Sequence, residues 1–287
     1  CFKIYGKGLG SFTAKKNLKL NFGNSGTLAR LLIGLLSTNP NIVLNLTGDH
    51  SLRKRSMKKL ILLMSEFGAS FSPKSKFHFP MKMTSSEMPT GIKYEAGVSA
   101  QLKSAVILAG LNSYGETQII EVQKSRDHTE RMLLQNKEII KILNNKKRII
   151  KINGKKTLKP ISIKVPGDPS SAAFFTALTI LNKNSSIKIK DVGLNPTRSG
   201  FYHLLKKHGA KIKIKNLKKN NNEICGDIHV FNSKLKSINA SKKYYVNSTD
   251  EYPILFVIAS LIKGTSIFRG IGDLANKESN RILEMQK

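Results

Sequence analysis

Four short polar turns carry the residues of this chain that could do chemistry, and each runs straight into an apolar helix pattern. The first is Gly23-Asn24-Ser25-Gly26-Thr27, with Arg30 one turn further on. Glycine lets the backbone come close to a ligand, and the N–H groups opening a helix have no partner inside it. Because the helix dipole favours negative charge at that end, the stretch reads as a seat for a phosphate or carboxylate. The Arg30 guanidinium is a second contact for the same anion. Comparable turns follow at Gly97-Val98-Ser99-Ala100-Gln101, at Gly167-Asp168-Pro169-Ser170-Ser171 and at Ser248-Thr249-Asp250-Glu251-Tyr252-Pro253. Asp250, in the last of these turns, is a carboxylate whose charged form a helix start would favour. Helix capping alone accounts for Ser25, Ser99, Ser125 and Asp250 on local sequence, and a cap can also serve a ligand.

The elements that must position these turns recur as well. Units open at residues 21, 94, 164 and 246, at intervals in the range of repeat architectures or somewhat longer. Each reads as strand, polar turn, apolar helix, strand, polar turn, amphipathic helix and further strands. The first apolar helices span 28–37, a stretch ending at 111, 172–181 and 254–262. The strands that follow them lie at 42–46, 117–122, 186–191 and 265–269. A second helix is expected at 52–67, closed by Gly68, and another from 196 to Gly209. Residues 71–89 read as strands and turns. Hairpins are expected around Asn144-Asn145 and Asn153-Gly154, and a loop or hairpin tip at 218–223. Ser125 and His128 occupy capping positions before a further helix. Helices apolar nearly all round, such as 104–111 and 172–181, belong in a core. Symmetry would then gather several positive helix ends on one side, a physical basis for an anion site.

Composition narrows the class. The net charge is +31 and apolar residues make up 40%, with no apolar run of membrane-spanning length. The lysines are spread out, and in Lys211-Ile212-Lys213-Ile214-Lys215 and Lys188-Ile189-Lys190 they alternate with isoleucine, as on strands with one wet face. Trp is absent, and no helix-turn-helix, zinc-finger or RNP pattern occurs, so nucleic-acid binding is a minor reading of the charge. Cys1 and Cys225 fit no metal spacing and suit a reduced, cytoplasmic setting. Gly6-Lys7-Gly8-Leu9-Gly10-Ser11 is a poor dinucleotide loop, its third glycine misplaced and no helix pattern following. The chain opens at Cys1 without Met and stops at Lys287 inside an expected helix, which reads as a fragment lacking both ends.

At its turns the chain resembles the 5-enolpyruvylshikimate-3-phosphate synthases of the enolpyruvyl transferase family, over essentially its whole length. The likeness rests on Gly23–Thr27 with Arg30, on Gly48-Asp49-His50-Ser51-Leu52-Arg53-Lys54-Arg55 and on Ser99-Ala100-Gln101-Leu102-Lys103-Ser104-Ala105. It continues through Ser125-Arg126-Asp127-His128-Thr129-Glu130-Arg131, Val165-Pro166-Gly167-Asp168, Asp250-Glu251-Tyr252-Pro253 and Lys277-Glu278-Ser279-Asn280-Arg281. Seven such strings in family order are a specific signal.

The resemblance implies an α/β (α+β) fold, a two-domain inside-out barrel of six βαβαββ-like units that closes on substrate, about four of them present here. Residues 1–164 would form most of the shikimate 3-phosphate-binding domain, and 165–287 part of the other. The implied reaction is attack of the 5-hydroxyl of shikimate 3-phosphate on the central carbon of phosphoenolpyruvate, through a tetrahedral intermediate, with loss of phosphate. No metal or organic cofactor is implied. The expected protein is a cytoplasmic monomer with small-molecule partners, no nucleic acid and no membrane, and it would be a glyphosate target. By the same resemblance Gly26, Arg55, Gln101 and Arg281 contact phosphoenolpyruvate. Ser99, Ala100, Gln101, Ser125, Arg126, Asp250 and Lys277 hold shikimate 3-phosphate. Asp250, Lys277 and Glu278 share the proton transfers, which require groups of different pKa.

Two departures limit the expectation. The family's Lys-Ser-x-Ser-x-Arg and Asp-His-Arg segments are absent, so residues 1–287 alone are expected to be inactive. Ala275 and Asn280 stand where an arginine and an aspartate are usual. The alternatives are the sister enzyme that transfers enolpyruvyl to UDP-N-acetylglucosamine and a basic nucleic-acid-binding protein. Ser99-Ala100-Gln101 and Ser125-Arg126-Asp127-His128 favour the shikimate acceptor.

Overall fold

In the computed structural model, residues 2–287 are described. Cys1 lies outside them; Cys225 is a buried free thiol. The chain divides into two compact units, one made of Cys1–Lys124 with Met132–Pro160 and the other of Ser125–Arg131 with Ile161–Lys287. Each is described by itself.

The first unit contains the same topology twice. Strand β1 (Lys19–Asn21) leads through α1 (Gly26–Ser37) to β2 (Val43–Thr47). Two short helices, α2 (His50–Lys54) and α3 (Lys58–Glu66), precede β3 (Ser70–Ser72) and β4 (Met81–Thr84). The sheet order is β1-β2-β4-β3, with β1 and β2 parallel and the other pairs antiparallel. The second copy runs β5 (Lys93–Ala96), α4 (Ala100–Leu111), β6 (Glu116–Glu121), β7 (Ile140–Asn144) and β8 (Arg148–Asn153); α5 (His128–Leu133), between β6 and β7 in the chain, has its first four residues in the second unit. Its order, β5-β6-β8-β7, has the same single parallel pair. Parallel neighbours need a crossover, and α1 and α4 supply it.

Those two helices fill the core of the unit. Both begin on serine caps: Leu28 N–H donates to Ser25 Oγ at 3.1 Å and Leu102 N–H to Ser99 Oγ at 3.4 Å. A cap of this kind contributes about 1 kcal/mol. A Cβ on Gly34 of α1 would lie 2.6 Å from the carbonyl oxygen of Ala105 in α4, so the helices approach backbone to backbone. Even Lys103 of α4 is buried, its Nζ 2.9 Å from Glu121 Oε1 at the end of β6, while Arg148 of β8 holds the other oxygen of Glu121. Burial of one member of such a pair requires the others, and together they fix α4 against its sheet.

The second unit contains α6 (Pro169–Leu181), β9 (Ser186–Gly193), α7 (Gly200–Lys207), β10 (Lys211–Asn220) and β11 (Glu223–Phe231). The sheet order is β10-β11-β9, and the strand before α6 is reduced to a parallel bridge between Gly167 and Val192. A further parallel pair, β12 (Asn239–Ala240) with β13 (Ile267–Phe268), encloses α8 (Lys243–Ser248) and α9 (Tyr252–Ser260), and α10 (Arg281–Gln286) ends the chain. The lysine–isoleucine alternation holds on β10, where Lys211, Lys213 and Lys215 are exposed and Ile212 and Ile214 are not. Among the described residues no helix is long and apolar enough to cross a membrane.

Several expectations need correction. The helix expected at 52–67 is broken at Arg55, whose extended backbone (φ −82°, ψ 129°) separates α2 from α3. The fourth unit opens at Asn239 rather than 246, because Val246 lies in α8. The strand β10 runs on to Asn220, leaving only Asn221-Asn222, both at positive φ, as the hairpin tip. A hairpin joins β7 to β8 at Asn144-Asn145, whereas Asn153 simply ends β8. Residues 172–181 are not buried all round: Phe174, Phe175 and Leu178 are exposed on α6.

Candidate active site

In the first unit the break at Arg55 does the positioning. Asp49 caps α2 by accepting from Leu52 N–H at 2.8 Å, and the helix ends one turn later. The chain turns out at Arg55, and its guanidinium reaches the start of α1. A Cβ built on Gly26 would lie 2.6 Å from Arg55 Nη1 and 2.7 Å from Arg30 Nη1. Gln101, from the first turn of α4, locks onto the same place. Its carbonyl oxygen accepts from Arg30 Nη1 at 3.0 Å, and its amide donates to Thr27 Oγ1 at 2.7 Å. Arg30 Nη1 also donates to the carbonyl oxygen of Gly26 at 3.0 Å. Gly26, Arg30, Arg55 and Gln101 thus converge around one helix N-terminus. Two guanidinium groups so close repel each other, and an oxyanion between them turns that repulsion into attraction. Ser99 caps α4 and Ala100 is its first residue, two positions and one position before Gln101.

In the second unit the acidic residue leads. Asp250 lies in a single 3-10 turn, Thr249–Glu251, between α8 and α9, and does not cap α9 as expected; that position belongs to Glu251. The Asp250 carboxylate is therefore available to side chains. Oδ2 accepts from Arg126 Nη2 at 2.7 Å, and Oδ1 lies 3.6 Å from Arg281 Nη1. Burial would push this carboxyl up, but the Arg126 guanidinium, with Arg198 and Arg281, holds it below the usual carboxylate range. Arg281 also donates to Glu278 Oε2 at 2.7 Å. Lys277 pairs with Asp273 at 2.6 Å, and Asp273 accepts from the Tyr245 hydroxyl at 2.8 Å. Arg126, Asp250, Glu278 and Arg281 thus form one chain of ion pairs, with Lys277 bonded beside it to Asp273. Ser125 is buried, and His128 opens α5 instead of capping it. Asn280, where an aspartate is usual, caps α10 through Leu283 N–H at 3.2 Å.

Sequence reasoning missed two neighbours of this group. Glu251 is buried and bonds the Ser170 hydroxyl at one oxygen, while its Oε2 has no hydrogen-bond partner among the described residues. Burial pushes its carboxyl up. Arg198 reaches Asp168 at 3.3 Å and Ser170, and stands 3.8 Å from Glu251. Asp168 is a full helix cap, accepting from Ser170 and Ser171 N–H at 3.3 and 2.9 Å. The signal for Glu251 was its place beside Asp250 in an otherwise apolar helix start; Arg198 sat in a turn read only as helix-opening.

Among known proteins, the family model for EPSP synthase (3-phosphoshikimate 1-carboxyvinyltransferase) matches residues 3–287. A 3-phosphoshikimate 1-carboxyvinyltransferase of Zymomonas mobilis is 42% identical over 99% of this chain and 63% of its own length. One from Jannaschia sp. is 39% identical with the same coverage. The chain thus spans less than two thirds of the relatives it matches. The solved EPSP synthase of Acinetobacter baumannii superposes with a TM-score of 0.79 at 36% identity, covering 95% of this chain and 61% of that one. The enolpyruvyl transferase NikO of Streptomyces tendae, 14% identical with a TM-score of 0.59 over 83% of this chain and 54% of its own, shares the fold. Because that family model matches nearly the whole of it, the chain belongs to the EPSP synthase family.

Proposed function

We propose that the protein carrying this chain transfers the enolpyruvyl group of phosphoenolpyruvate to the 5-hydroxyl of shikimate 3-phosphate, releasing phosphate. The observation that carries the reading is the placement of Asp250 between Arg126 and Arg281, in a chain of this family. Both substrates are multiply charged acids, and the reaction needs cations to hold them and a carboxylate to manage a proton. Gly26, Arg55, Gln101 and Arg281 bind phosphoenolpyruvate; Arg30 supports Gln101 and the backbone of Gly26. Ser99, Ala100, Gln101, Ser125, Arg126 and Lys277 bind shikimate 3-phosphate. The domain of residues 1–164 acts chiefly on that acceptor.

The ion pairs suggest how Asp250 becomes a base. Held below the usual range, its carboxylate is a weak proton acceptor. A substrate phosphate or carboxylate that engages Arg126 or Arg281 draws positive charge away from it. Its pKa then rises toward the working pH as the hydroxyl arrives. Lys277 and Glu278 supply the complementary proton to the methylene carbon. The reading carries with it a cytoplasmic monomer and needs no metal or organic cofactor. Its test is phosphate release dependent on both substrates in the protein carrying this chain, lost by a factor of about 100 or more in Asp250→Asn. Undiminished turnover in that variant would remove Asp250 from the proton transfers.

A further inference from the structure

Ser125–Arg131 fold with the second unit although Lys124 before them and Met132 after them belong to the first. A segment so short needs an anchor, and its own motif supplies half of one. Asp127 is buried, and its Oδ1 accepts from Arg131 Nε at 2.8 Å. His128 Nδ1 lies 2.7 Å from Glu223 Oε1, at the first residue of β11. The element joining these two carboxylates is Asn195, in the turn before α7. Its amide nitrogen donates to Asp127 Oδ1 at 2.8 Å and to Glu223 Oε2 at 3.1 Å. Its oxygen accepts from Thr197 N–H at 2.9 Å and from Thr197 Oγ1 at 2.8 Å. Two donors and two acceptors are all that a carboxamide has, and here all four are used by a residue 2% exposed.

We propose that Asn195 is a positioning residue for the acceptor phosphate site: it locks Asp127 to Glu223 and thereby sets Arg126, the adjoining residue, against Asp250. No other uncharged side chain of this size does the same work. An aspartate at 195 would bring a third carboxylate to two others, and an alanine would leave Asp127 and Glu223 without their shared donor in a buried place. His128, through Glu223, and Arg131, which donates to the Asn222 carbonyl and accepts from the Asn222 amide at 3.3 Å, tie the segment to the β10–β11 hairpin; Asn195 adds the bond from Asp127 to the turn before α7. Asn195 touches no substrate in this assignment; it acts through Arg126.

The substrate half of this inference rests on the function proposed above, so the test has one readout that needs no substrate. Carboxyl NMR titration of the full chain follows Asp250, whose pKa Arg126 helps to hold down. Asn195→Ala is expected to move that titration upward, in the direction of Arg126→Ala, and to add nothing in the double variant. Shikimate 3-phosphate binding should weaken about tenfold in Asn195→Ala but less than about twofold when Arg126 is already alanine. Glu223→Gln, at a less buried position, should show the same pattern more weakly and serves if Asn195→Ala does not fold. An unmoved Asp250 titration in the folded variant, or losses that add to those of Arg126→Ala, would overturn the assignment. If the wild-type protein carrying this chain bound no shikimate 3-phosphate, the functional reading would fail, and the Asp250 titration would still decide the role of Asn195.

Discussion

A methyl group on Gly26 would meet Nη1 of Arg55 at 2.6 Å, with Nη1 of Arg30 at almost the same distance on another side. Both obstacles are the far ends of flexible side chains, so the fold can absorb an alanine there while the guanidinium groups move. Gly26→Ala is therefore expected to leave thermal stability little changed. It should weaken phosphoenolpyruvate and glyphosate by about tenfold or more, since both would need the displaced cations. Inhibition by glyphosate measured against wild type checks this; an unchanged inhibition constant would take Gly26 out of that site.

Gly34 makes the opposite case. The atoms that its methyl would meet are the backbone of Ala105, with Cα at 2.7 Å and the carbonyl oxygen at 2.6 Å. Helices α1 and α4 must separate to admit it. Gly34→Ala should cost about 1–3 kcal/mol in denaturant unfolding. A change below about 0.5 kcal/mol would mean that the two helices do not pack as described.

Glu251 predicts a pH dependence of sign opposite to that of Asp250. Burial raises the folded-state pKa of Glu251 above its ordinary value near 4.5. Between those two values the folded protein binds more protons than the unfolded chain, so stability falls as pH rises through this window. Asp250, held low, contributes stability above the ordinary carboxylate value that is lost as pH falls through its folded pKa. Glu251→Gln should flatten the fall in Tm on the alkaline side of pH 4.5. A Tm profile identical to that of wild type would mean that Glu251 does not titrate in the fold.

Much of this was legible because the information was local. Ser25 and Ser99 cap their helices through bonds spanning three residues, and the alternation on β10 follows from one wet face and one buried face. What stayed hidden depended on partners distant in sequence. The break at Arg55 leaves only a faint local mark: Arg55 and Ser56 hold the i+3 and i+4 positions from Leu52, and apolar residues resume at Met57. Asp250 looked like a cap, yet a carboxylate facing Arg126, 124 residues away, is better satisfied by the guanidinium. Asn195 looked like an ordinary turn residue, since Asp127 and Glu223 come from separate elements. The strand missing before α6 was expected from the repeat and survives as the bridge from Gly167 to Val192.

A chain built to hold a small, multiply charged acid, with Arg126 and Asp250 at the acceptor, should reveal this in what it binds. Calorimetric titration with shikimate 3-phosphate, beside UDP-N-acetylglucosamine and a single-stranded polynucleotide at two salt concentrations, tests that most directly. Saturable binding of shikimate 3-phosphate that Arg126→Ala weakens at least tenfold, without binding of the sugar nucleotide, is the result expected. Silence toward shikimate 3-phosphate, together with steeply salt-dependent binding of the polynucleotide, would contradict it.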